Sequence, residues 1–95
     1  MAKMNARGAS EVAKIRVTKR LSEGDQVWEY RYLYALRSDG KVLGRLAGFR
    51  RKGEKRWTGG SGYSITGTVK NMADFNLEAW ARGKFESQGH EVEVL

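Results

Sequence analysis

The chain has 95 residues, one domain's worth, and room for a single core. Hydrophobic residues make up 40%, which excludes a chain disordered throughout, and the absence of Cys excludes a disulfide framework and a thiolate metal site. With 18 Lys and Arg against 11 Asp and Glu, the net charge of +7 points to a polyanionic partner: nucleic acid first, an acidic protein surface second.

Residues 1–10 are small, polar and basic, with Lys3 and Arg7, and read as a flexible arm ahead of a single domain over 11–95. From Val12 to Leu21 the chain alternates. Ala13, Ile15, Val17 and Leu21 share one face, while Lys14, Arg16, Thr18 and Arg20 share the other. Period two with β-branched residues predicts a strand. Ser22-Glu23-Gly24-Asp25 is a turn signal.

Gln26 to Arg37 is the strongest strand pattern. Trp28, Tyr30, Tyr32, Tyr34 and Leu36 fall on one face; Val27, Glu29, Arg31, Leu33, Ala35 and Arg37 fall on the other. Asp39-Gly40 reads as a two-residue hairpin turn leading into a third strand over Lys41 to Arg51. That turn predicts the pairs Leu36 with Leu43, Tyr34 with Arg45, Tyr32 with Ala47, Leu33 with Leu46, Tyr30 with Phe49 and Glu29 with Arg50. The first hairpin predicts Val17 against Tyr30, Ile15 against Tyr32 and Arg16 against Arg31. Both hairpins then place their large apolar residues on one face, with Leu43 and Phe49 among them. Gly44 and Gly48 fall on the other face and mark a bulge or a close approach by another group.

Residues 50–62 form a basic, Gly-rich loop, and Tyr63 to Val69 is a fourth strand with Tyr63, Ile65 and Val69 on one face. Asn71 is a predicted N-cap, with Asp74 in the first turn, for a helix over about Met72 to Gln88 that ends at Gly89. His90 to Leu95 alternates as a short edge strand or a tail. The fold expected is α+β: a four- or five-stranded antiparallel sheet with one C-terminal helix packed on its aromatic face.

Charge is uneven along the chain. Residues 1–56 carry 15 basic and 6 acidic side chains, a net of +9; residues 57–95 carry 3 and 5, a net of −2. With the helix on the aromatic face, the second face presents Lys14, Arg16, Arg20, Arg31, Arg37, Arg50 and Lys52. Arg16 directly across from Arg31 is unfavourable unless an anion lies between them or both side chains splay into water. The run Arg50-Arg51-Lys52-Gly53-Glu54-Lys55-Arg56-Trp57 puts cations for phosphates beside a ring that stacks on a base or tucks against the core edge. The expected nucleic-acid site is therefore Lys14, Arg16, Arg20, Arg31, Arg37, Arg50, Arg51, Lys52, Lys55, Arg56 and Trp57. Duplex DNA is the first choice of ligand, since two or three strands enter a major groove. The arrangement resembles, in topology alone, the arm-binding domains of phage-type integrases, where a three-stranded sheet backed by a C-terminal helix contacts DNA; no sequence motif carries the likeness.

The alternative is a protein-interaction module, such as a small phage-type regulator or inhibitor, docking on an acidic surface. The tail at 91–95 offers a strand to a partner sheet or to a second copy in a homodimer. A cationic stripe across the sheet and the 50–57 loop argues for nucleic acid; one centred on the helix or tail argues for a protein. A structural role in a phage particle is a weaker reading. No enzyme is expected: His90 is the only His, there is no Cys nucleophile, and no phosphate-cradling or nucleophile-elbow motif appears. No cofactor or metal is expected. No apolar run reaches the roughly 18 residues of a membrane span, and no signal-peptide stretch opens the chain, so no membrane partner and a cytoplasmic location are the expectations.

Overall fold

The computed structural model describes residues 9–20 and 26–95, without the side chains of residues 9–11 and 20. The alternating segments form β1 (Ala9–Arg20), β2 (Val27–Arg37), β3 (Lys41–Arg51), β4 (Ser64–Thr68) and β5 (Glu91–Val94). A 3-10 turn (Met72–Asp74) and α1 (Leu77–Glu86) lie between β4 and β5. The strands make one antiparallel sheet in the order β4-β3-β2-β1-β5, so the C-terminal strand lies beside the first. The arm expected over residues 1–10 falls outside the described residues up to Gly8, while Ala9 and Ser10 already belong to β1. The turn expected at 22–25 also falls outside them, as does Leu21. Among the described residues no helix is long and apolar enough to cross a membrane.

The β1–β2 register is the expected one, with Val17 opposite Tyr30, Ile15 opposite Tyr32 and Arg16 opposite Arg31. The β2–β3 register is corrected near the turn. Leu36 faces Val42, Tyr34 faces Gly44 and Leu33 faces Arg45, because the connection holds three residues and not two. The Gly40 amide donates to the Arg37 carbonyl at 3.0 Å, and Gly40 adopts φ +85°, a left-handed conformation that glycine reaches without steric cost. A bulge then interrupts β3: Arg31 faces Gly48 and Tyr32 faces Leu46, with Ala47 the extra residue. This second offset cancels the first, so the distant pairs Tyr30–Phe49 and Glu29–Arg50 are those expected. Between the two offsets the faces are exchanged. Val42 replaces Leu43 beneath the helix, and Leu43 and Arg45 move to the second face. Gly44 lies under the Tyr34 ring, on the helix face, not the second face. In β4 another irregularity sets Leu43 against Ile65, which places Ile65 on the second face, whereas Val69 packs against the core.

The core beneath α1 gathers Ala13, Ile15 and Val17 of β1, Tyr34 and Leu36 of β2, Val42 of β3, and Leu77, Ala81 and Phe85 of the helix. The helix residues fall at i, i+4 and i+8, one narrow stripe. Burial pushes the Tyr34 phenol up to about 12, with the neighbouring Tyr32 adding to it; Tyr32 is raised too, by burial and then by Tyr30. The helix is shorter than its sequence signals imply. Asn71 does cap, but it caps the 3-10 turn, accepting from the Ala73 amide. Asn76 caps α1, accepting from the Ala79 amide at 2.9 Å. Ten helical residues span about 15 Å, while the eleven of β2 span about 36 Å, so the helix covers less than half the length of the sheet.

Candidate nucleic-acid interface

The sheet face away from α1 carries the predicted cations, and the structure shows how they coexist. Arg16 and Arg31 are directly opposed, yet no outside anion is needed at Arg16. Its guanidinium pairs with Glu93 from β5 and lies 3.7 Å from Glu29. The Arg50 Nε–H donates to the other Glu29 oxygen at 3.0 Å. Glu29, only 8% exposed, is thus the central carboxylate of the face and is shared by two arginines. Its burial is tolerable because charge-assisted hydrogen bonds replace the water it loses.

Arg31 is exposed, and its guanidinium lies 4.1 Å from the Trp57 ring centre, with that of Arg50 at 4.2 Å. Trp57 reaches this position because the loop after β3 turns back: Phe49 and Thr58 exchange backbone hydrogen bonds of 2.8 Å in both directions. Gly48 leaves the space, since a Cβ there would stand 3.3 Å from the Trp57 Cβ. The close approach inferred at Gly48 is therefore made by the chain itself. Trp57 is half-buried on the second face, not tucked under the core edge.

Of the remaining predicted residues, Lys14, Lys52, Lys55 and Arg56 are exposed, and no carboxylate pairs with them among the described residues. Arg37 is paired with Asp39 of the turn at 2.9 Å. Arg51 points to the helix face, where its guanidinium lies 5.6 Å from the Trp28 ring, so it stands apart from the others. Arg20 closes β1 opposite Val27, and its side chain lies outside those described. The small apolar patch expected from Leu33, Leu46 and Ala35 takes another form. A row of Val12, Ala35, Leu43 and Ile65 crosses the face, with the middle pair fully buried and the outer two 51% and 45% exposed.

Sequence reasoning missed Arg45 and the acidic edge. Arg45 joins this face only because of the three-residue turn; it is half-buried near the Tyr63 ring, and its Nε is buried with no hydrogen-bond partner. Glu91 and Glu93 of β5 pair with Thr18 and Arg16 and make the β1 side of the face acidic. The free cationic surface is thereby displaced toward Arg31, Arg45 and the 50–57 loop. Alternation in residues 91–95 gave the signal for the strand, and its glutamates follow from the period.

Compared with protein-family models, curated proteins and solved structures, the chain finds no match.

Proposed function

We propose that this protein binds nucleic acid through phosphate contacts made by Arg31, Arg45, Lys52, Lys55 and Arg56, with Lys14 at the margin. The observation that carries the reading is where unpaired positive charge lies. Among the described residues it runs across β2 and β3 into the 50–57 loop, whereas β5 is acidic and the helix carries Arg82, paired with Glu86, and Lys84, lying over the Trp80 ring. A protein-docking surface centred on helix or tail has no such support. Arg16 and Arg50 serve mainly to hold Glu29 and the Trp57 loop in place, and contribute field more than direct contact.

The test is a titration by fluorescence anisotropy against a labelled random-sequence DNA duplex at increasing salt. About five phosphates neutralised predicts a log–log slope near −4.5. Arg31→Glu should weaken binding far more than Arg82→Glu. Equal losses refute the site, and no binding at low salt to the duplex or to a single strand refutes the function and hands the surface to an acidic protein partner.

A further inference from the structure

Among the described residues, the mismatch between a short helix and long strands leaves part of the aromatic face beyond the reach of α1. Tyr34 is 3% exposed beneath α1 and Tyr32 stacks on Phe85 of the helix at 4.8 Å, but Trp28, Tyr30 and Phe49 are only half-buried. Trp28 and Phe49 stand outside the core cluster altogether, beyond the helix C-terminus. The rings form a continuous platform. Tyr30 and Phe49 are 6.0 Å apart with planes inclined at 27°, and Trp28 lies 6.1 Å from Phe49, whose ring edge meets Gly59 of the following loop. A cation flanks each side. Lys19 from β1 places its ammonium 4.7 Å from the Tyr30 ring centre, and Arg51 from β3 lies 5.6 Å from Trp28.

We infer that this strip stacks unpaired bases, so that the nucleic acid bound is single-stranded where it crosses the uncovered end of the sheet. The inference rests on the proposed nucleic-acid function and names the form of ligand it takes. Three features select a base over a purely apolar occupant. The platform is aromatic throughout, and every base offers a π-face to such rings. Its margins are cationic, as a phosphodiester backbone requires and an apolar protein surface does not. Arg51 is followed in the chain by Lys52, Lys55 and Arg56, which supply further cations in the adjoining loop. Spacing selects the single strand. Ring centres 6.0 and 6.1 Å apart are well over the base rise of about 3.4 Å in a duplex, so bases that meet neighbouring rings are drawn out of their stack. Lys19 and Arg51 have long side chains that can leave the rings for phosphates as a base arrives.

The experiment compares three labelled probes at fixed salt: a dT 12-mer, an abasic 12-mer with the same phosphates, and a random-sequence duplex. The native protein should bind the dT 12-mer at least tenfold more tightly than the abasic strand. Trp28→Leu and Tyr30→Leu keep apolar bulk on the sheet; with native far-ultraviolet circular dichroism and melting confirmed, each should lower dT 12-mer affinity about tenfold and leave abasic binding unchanged. Equal affinity of the native protein for dT and abasic strands, a result independent of any variant's folding, overturns the inference while the phosphate-binding reading stands. Failure of all three probes at low salt removes both. Sedimentation supplies a further check: a dimer that Trp28→Leu converts to monomers without loss of dT binding assigns the strip to a second copy and overturns the inference.

Discussion

Replacing Glu29 tests the electrostatic arrangement of the second face most directly. The carboxylate is 8% exposed and accepts from Arg50 at 3.0 Å, while Arg16 lies at 3.7 Å; the two arginine side chains are 20% and 28% exposed. Glu29→Ala removes the acceptor and leaves two half-screened cations side by side. A fully buried pair broken in this way costs about 3–5 kcal/mol, and an exposed one about 0–1 kcal/mol. These guanidiniums lie between those limits, and Arg16 retains Glu93, so roughly 2 kcal/mol is expected. For a domain of this size that lowers Tm by about 8–16 °C. Urea unfolding measures the loss, and a double-mutant cycle with Arg50→Met isolates the pair, with a coupling near 1–2 kcal/mol expected. The same change adds positive charge to the proposed interface, so duplex affinity at low salt should rise as stability falls. A variant as stable as the native protein, or a coupling near zero, refutes the view that Glu29 organises this face.

Gly40→Ala should cost roughly 2 kcal/mol in urea unfolding, because φ is +85° and the new Cβ would stand 2.7 Å from the Val69 carbonyl oxygen. Leu77→Ala empties a fully buried site where α1 meets the sheet and should cost about 2–5 kcal/mol in the same assay. Stability should decline with rising alkali. The Tyr34 phenol is held protonated to about 12 in the folded state against 10.0 otherwise, so the unfolded chain loses its proton first and unfolding is favoured from about pH 10 upward. Absorbance near 295 nm should show one tyrosine ionising only near pH 12, or together with unfolding; full titration of all four tyrosines by pH 11 in a folded protein refutes this assignment.

Alternation made the strands and the β1–β2 pairing legible, because hydrophobic periodicity assigns faces and two agreeing hairpins assign register. It could not decide the length of the turn after β2. Asp39-Gly40 suits a two-residue loop and a three-residue loop with a left-handed glycine equally, and that single residue moved Arg45 to one face and Val42 to the other. The bulge at Ala47 falls beside Gly48, one of the two strand glycines whose presence signals a bulge, and it restores the expected register for the far half of β3. Asn71 and Asp74 gave a true capping signal for the wrong element, since the chain leaves helical geometry at Phe75 before Asn76 begins the helix proper. Periodicity also says which face an aromatic takes but not how far a covering helix extends, so the half-exposed strip of Trp28, Tyr30 and Phe49 was read as core. The cations were visible as a set; which of them are spoken for depended on Glu29 and Glu93, whose partners lie across strands.

Placing the last strand beside the first has a consequence for the order in which the molecule can be made. Arg16 and Glu93 are 77 positions apart, so β1 gains its second neighbour only when nearly the whole chain exists. During synthesis the three-stranded meander can pair before the rest of the chain exists, but β1 then presents a bare edge until α1 docks and Glu91–Val94 closes over it. Closing so long a loop carries a larger entropic cost than closing the hairpins, and until it closes the β1 edge is a template on which a second chain can pair.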